Sequence, residues 1–137
     1  MHMTLEADYA VRIVERLTLL KDRQDAKSIS EKTQVPLRFA LKILRKLVSE
    51  GIVKSYKGTH GGYMLAKKPS EISLRQVIEA VEGPYMISRC LQGEYACGHE
   101  QCHFHKIYED ISQMVRDKLD TYTFAIAERN SEPEDSE

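Results

Sequence analysis

Apolar residues at Leu5, Tyr9, Val11, Ile13, Val14, Leu17 and Leu20 recur at helical spacing, and Thr4 stands where an N-cap belongs. The pattern predicts a first helix, followed by a polar loop at Lys21–Asp25. A short helix fits Lys27–Thr33. Pro36, well tolerated in a first helical turn, opens another helix. Its apolar side carries Leu37, Ala40, Leu41, Ile43, Leu44, Leu47 and Val48, its other side Arg38, Lys42, Arg45 and Lys46, and Gly51 terminates it. Short helix, tight turn and longer basic helix make a helix-turn-helix pattern.

The next stretch changes period. Ile52–Tyr56 and Tyr63–Ala66 read as strands, joined by the glycine-rich turn K-G-T-H-G-G at 57–62. A hairpin directly after the basic helix is the wing of a winged helix-turn-helix, and Lys57 and His60 at its tip can reach a phosphate backbone or a minor groove. The same turn does not fit a nucleotide-binding loop. It lacks the P-loop spacing and its Gly-Lys-Ser/Thr ending, and no helix follows it.

Helical spacing returns within Pro69–Gly83. Ser73 and Gln76 fit a capping box, Val77, Ile78 and Val81 form the stripe, and Gly83-Pro84 breaks it. Lys106–Glu128 reads as one long helix through Ile107, Tyr108, Ile111, Met114, Val115, Leu119, Tyr122 and Ile126. An amphipathic helix of that length needs a surface to cover it. A second copy of the chain is the expectation, and folding back on its own domain is the alternative. The expected fold is thus mainly α with a small β-hairpin wing. It comprises a winged helix-turn-helix (1–68), a connecting helix and cysteine-rich loop (69–105), a dimerisation helix (106–128) and an acidic tail (129–137) whose end, E-P-E-D-S-E, is expected to be disordered.

Composition adds a partner. With 137 residues, 42% of them hydrophobic and 30% charged, the chain can form one modest core without disulfides. No apolar run approaches the ~20 residues of a membrane span, and the N-terminus has no signal-peptide core, so the expected location is the cytoplasm. The net charge of −1 hides an asymmetry. Residues 1–68 hold 14 Lys and Arg against 7 Asp and Glu, a balance of +7, whereas residues 69–137 hold 6 against 14, a balance of −8. A basic half on a near-neutral chain suggests a polyanion partner, although basic residues also solvate helix faces.

All three cysteines fall in one stretch, C-L-Q-G-E-Y-A-C-G-H-E-Q-C-H-F-H. Cys90, Cys97 and Cys102 are spaced C-x6-C-x4-C, with His99, His103 and His105 beside them and Gly93 and Gly98 to give turns. Clustered thiols in a cytosolic chain point to metal or redox chemistry rather than a disulfide framework. Thiolates suit zinc, copper(I) and iron–sulfur clusters. Zinc sites usually contain a C-x2-4-C pair; here the x4 pair is near that range and the x6 pair much wider, and wide spacing allows the loop to wrap something larger, such as a cluster. Each histidine could equally be an exposed polar residue. A catalytic thiol would need no two neighbours, and no acyl-transfer motif surrounds these cysteines, so no enzyme is expected.

The features arrive in a familiar order: E-A-D-Y-A-V-R, S-I-S-E-K, L-R-K-L-V-S-E-G-I-V, Y-K-G-T-H-G-G-Y-M-L-A, S-L-R-Q-V-I-E-A-V-E-G, then the cysteine triad. From about Met3 to Glu128 the chain resembles the Rrf2 family of bacterial transcription regulators. The run G-I-V-x-S-x-K-G-x-x-G-G-Y ahead of three cysteines is the most specific part. The resemblance implies a homodimer on an imperfect palindrome of double-stranded DNA, with the second helix of the motif in the major groove and the wing at the minor groove. Matching positions are Pro36, Arg38, Phe39 and Lys42 on the helix and Lys57 and His60 on the wing. Arg38 is expected to read a base, since an arginine fork fits guanine. Lys42, Arg45, Lys46 and Lys57 are expected on phosphates, Arg45 alternatively in solvent.

The resemblance also implies an iron–sulfur cluster on Cys90, Cys97 and Cys102, the middle one displaced by one residue from the commoner even spacing. The fourth ligand differs among members. IscR-type proteins use a histidine matched by His105 and hold a 2Fe–2S cluster. NsrR-type proteins use an aspartate of the partner's first helix, matched by Asp8, and hold a 4Fe–4S cluster. Both candidates are present, and Asp8 could instead be a solvent-facing carboxylate. The expected function is a sequence-specific DNA-binding regulator responding to redox state, nitric oxide or iron–sulfur status. The alternative is a zinc-stabilised or thiol–disulfide-switched regulator without a cluster.

Overall fold

The computed structural model describes residues 3–88, 91 and 103–131. Cys90, Cys97, Cys102, His99 and residues 132–137 lie outside the described residues, as do the expectations placed on them.

Helix α1, Leu5–Leu19, is capped by Thr4, whose Oγ1 accepts the Ala7 N–H at 3.1 Å. The buried face is Ala7, Ala10, Ile13, Val14, Leu17 and Thr18. Leu5, expected in the stripe, is instead 61% exposed. The alanines and Thr18 belong to the buried face because α1 is crowded on several sides, against α2 (Ala26–Thr33), α3 (Leu37–Ser49), α4 (Leu74–Glu82) and α6 (Ala125–Ser131). The Thr18 hydroxyl meets its burial by donating to the Val14 carbonyl at 2.8 Å.

Asp25 caps α2 through the Ser28 N–H at 2.7 Å. The turn into α3 places Gln34 at φ 58, closed by the Val35 N–H on the Ser30 carbonyl and by the Ser30 hydroxyl on the Val35 carbonyl. Pro36 is the N-cap of α3, and its carbonyl accepts from Phe39 and Ala40. Gly51, at φ 75, ends that helix in the left-handed region glycine favours. Strands β1 (Val53–Tyr56) and β2 (Gly62–Leu65) then pair antiparallel with Val53 opposite Leu65 and Tyr56 opposite Gly62. The expected winged helix-turn-helix is therefore present, with element ends within a residue or so of those read from the sequence.

A 3₁₀ turn, Pro69–Glu71, leads to α4, whose Ser73–Gln76 capping box is complete. The C-terminal region departs from expectation. The single helix predicted over 106–128 is two helices, α5 (Phe104–Asp120) and α6, separated by a non-helical step at 121–124. Across that step the Leu74 N–H donates to the Tyr122 carbonyl at 2.9 Å and the Phe124 N–H to the Ile72 carbonyl at 3.0 Å, with Ser73 bridged to Thr123. Asp120 anchors the corner, accepting from Arg75 at 2.7 Å and from the Ser73 hydroxyl at 3.2 Å. These hydrogen bonds replace helical ones and turn Phe124 into the core, where it is 6% exposed. Helical periodicity could not show the break, because Tyr122 and Ile126 happen to continue the spacing.

One hydrophobic cluster joins the elements: Ala10, Ile13 and Val14 of α1, Ile29, the α3 residues Ile43, Leu44 and Leu47, then Ile72, Val77 and Phe124. Phe124→Ala removes a ring from that cluster and is expected to cost about 3 kcal/mol. Urea unfolding followed by circular dichroism measures this, and a loss below about 1 kcal/mol would show that the step does not anchor the C-terminal region.

Candidate nucleic-acid interface and sensing segment

Amphipathicity orients α3. Ala40, Ile43, Leu44 and Leu47 are sealed in the core, which leaves Arg38, Lys42 and Arg45 exposed on the outer side. Phe39 is 36% exposed, with its ring tilted against Tyr9 of α1 at 6.2 Å between centroids. The Arg38 guanidinium lies 4.9 Å from the Phe39 centroid. Lys46 differs from the other cations of the helix. Its ammonium donates to Glu6 Oε1 at 2.9 Å and to the Val81 carbonyl at 3.2 Å, tying α3 to α1 and α4. Lys42 lies 3.7 Å from the same Glu6 oxygen.

Lys57 and His60 are exposed at the wing tip, as the sequence suggested. The wing is held by residues that the sequence reading passed over as loop. Gln24 exchanges two backbone hydrogen bonds with Tyr63, at 3.0 and 2.7 Å. Arg23 stacks on the Tyr56 ring at 3.6 Å and donates to the His60 carbonyl at 3.3 Å. An arginine in a polar five-residue loop gives no sign of this, since its partners lie more than thirty residues away. Gly62 is required by this contact: it sits at φ 146, and a Cβ there would lie 2.7 Å from the Gln24 carbonyl oxygen. Gly61 is equally confined, since a Cβ there would strike the Tyr56 carbonyl oxygen.

The segment entering the cysteine stretch is pinned to α5. The Ile87 N–H donates to the fully buried Ser112 hydroxyl at 3.0 Å, and Arg116 Nε donates to the Tyr85 carbonyl at 2.8 Å. The Tyr85 N–H donates to Glu79 at 2.7 Å, and the Thr4 hydroxyl donates to Glu82. Glu79 and Asp120 flank Arg75 and raise it further above its already basic range, Asp120 having the larger effect. His105 stands exposed on the first turn of α5. Asp8 lies on α1, its side chain 42% exposed and paired with Arg12 at 2.9 Å. Among the described residues no three His, Cys, Asp or Glu side chains converge as a metal site, and the three cysteines are not among those residues. Only part of the expected stripe of α5 faces outward: Ile107, Ile111 and Met114 are exposed, Met114 at 70%, as is Phe104 ahead of them, whereas Leu119 packs against the core.

The family profile described as "Iron-dependent Transcriptional regulator", Rrf2, matches residues 3–127. The chain belongs to the Rrf2 family. It is a DNA-binding transcription regulator and not an enzyme. It is 30% identical over 135 residues to the HTH-type transcriptional regulator IscR of Pectobacterium atrosepticum, covering 96% of this chain and 82% of that protein. Its fold matches T. potens IscR with a TM-score of 0.77 at 20% identity, covering 100% of this chain and 93% of the other. It also matches CymR, the global cysteine regulator of B. subtilis, with a TM-score of 0.75 at 22% identity, covering 94% and 98%. No helix among the described residues is long and apolar enough to cross a membrane.

The regulator's wing yields a direct test. Gly62→Ala forces a Cβ onto the Gln24 backbone and is expected to destabilise by about 1–3 kcal/mol. Denaturant unfolding reads this, and wild-type stability would mean that the wing separates from the 21–25 loop without loss.

Proposed function

We propose that this regulator is a cytoplasmic homodimer that reads an imperfect palindrome of duplex DNA and responds to an iron–sulfur cluster. The observation that carries the DNA reading is the outward row Arg38, Lys42 and Arg45 on α3, beside the exposed wing residues Lys57 and His60. In this reading Pro36 and Phe39 set the entry and packing of the recognition helix. Arg38 addresses a base edge, and Lys42, Arg45 and Lys57 hold phosphates. Lys46 is a phosphate contact only when its ammonium leaves Glu6 and Val81. The second copy covers the outward apolar stripe of α5, which no part of the described chain covers.

The donor set fits a cluster. Cys90, Cys97 and Cys102 supply soft thiolates, and the fourth position falls to His105 or to the partner subunit's Asp8. Asp8 must release Arg12 to serve, whereas His105 is open on its helix. When bound, the cluster supplies a redox-labile, nitric-oxide-reactive centre. The chain's own part is to couple the loop to the DNA face. Segment 85–87 is bonded to Ser112 and Arg116 of α5 and to Glu79 of α4, and the end of α4 reaches Lys46 of α3 through Val81. A shift of the cysteine loop thereby biases the tilt of the recognition helix. The rival reading is a colourless thiol or zinc form that uses the same three cysteines.

Arg38→Ala is expected to lose about 1–3 kcal/mol of discrimination at one guanine of the operator selected from a randomised duplex library. An unchanged selection profile removes Arg38 as the base reader. The cofactor is tested by anaerobic purification, with absorption and EPR spectra and iron and sulfide counts on wild type, Asp8→Ala and His105→Ala. Wild type is expected to be brown. Loss with Asp8→Ala alone assigns the ligand that crosses the dimer, and loss with His105→Ala alone assigns the local one. A wild type still colourless after reconstitution overturns the cluster in favour of the thiol or zinc form.

A further inference from the structure

Glu6 belongs to neither the cysteine stretch nor the recognition helix, yet it is the carboxylate that faces that helix. We propose that Glu6 is an affinity-setting counter-ion of α3, holding Lys46 away from DNA and opposing the phosphates that approach Lys42. The proposal rests on the DNA-binding reading of α3 given above.

One carboxylate oxygen, Glu6 Oε1, serves both lysines, at 2.9 Å from Lys46 and 3.7 Å from Lys42. Lys46 is further committed by the Val81 carbonyl at 3.2 Å. Lys42 is the looser of the two, with a side chain 57% exposed against 27% for Glu6. A phosphate therefore meets Lys42 first and must share it with Glu6. Such a phosphate lies inside the Debye length of about 8 Å from the carboxylate at physiological salt, so the two repel until added salt shortens that length. The carboxylate sits in the first turn of α1, where the helix dipole favours an anion. The other two cations of the outer face carry no such brake. Among the described residues no carboxylate stands within ion-pair distance of Arg38 or Arg45. The arrangement costs affinity for any duplex equally, since phosphates carry no sequence information.

Glu6→Gln tests this, because an amide keeps the shape and an acceptor for Lys46 and removes only the charge. The probe is a fluorescein-labelled duplex of mixed sequence, titrated by fluorescence anisotropy over a series of sodium chloride concentrations. Glu6→Gln is expected to tighten binding roughly three- to tenfold at low salt, with the gain shrinking as salt rises. Glu6→Asp, which keeps the charge, is expected to stay near wild type. Thermal unfolding of each variant confirms that the compared proteins are folded, and a gain in affinity cannot come from lost structure. A folded Glu6→Gln variant that binds no tighter than wild type overturns the proposal and leaves Glu6 as a tie between helices. A wild type with no salt-dependent binding at all overturns the DNA-binding reading, and this proposal with it.

Discussion

Close packing around α1 is the constraint on which the rest of this structure depends. The helix touches α2, α3, α4, α6 and the wing's second strand. Ala7 and Ala10 are as fully sealed there, at 1% and 0% exposure, as the larger Ile13 and Val14. Interiors packed to this density transmit displacement rather than absorb it. The same helix carries Glu6 toward the recognition helix, Asp8 toward solvent and Tyr9 against Phe39. A movement of α1 is thus felt at α3 through both an ion pair and a ring contact.

The wing shows how a short hairpin becomes a fixed tool. Two four-residue strands are marginal alone. Here a two-bond backbone bridge at Gln24 and the Arg23 stack on Tyr56 give the hairpin a third side. The contact is possible because Gly61 and Gly62 lack the Cβ atoms that would strike carbonyl oxygens. Lys57 and His60 are consequently presented at a defined distance from α3, which is what a reader of adjacent grooves needs.

The C-terminal region combines two demands on one pattern. Phe124 and Leu119 satisfy the chain's own core, while Phe104, Ile107, Ile111 and Met114 remain outside it. Ser112 is the hinge between these roles. It is buried on α5, and its hydroxyl accepts from the backbone leading into the cysteine stretch. A polar residue in an otherwise apolar stripe thereby links the long helix to the loop that precedes it.

Local chemistry wrote much of this protein into its sequence. The caps Thr4 and Ser73, the terminator Gly51, the basic outer face of α3 and the glycine turn of the wing all act within a few residues, so their effects are readable in order along the chain. The cysteine stretch and the wing motif were likewise enough to suggest the family. What the sequence could not give were pairings between distant segments: Arg23 with Tyr56 and His60, Lys46 with Glu6 and Val81, and the step at 121–124 that folds Phe124 inward. Each depends on which surfaces meet once the core has closed. A lysine on a helix looks the same in sequence whether it faces a phosphate or a carboxylate, and only the tertiary structure decided that Lys46 faces Glu6.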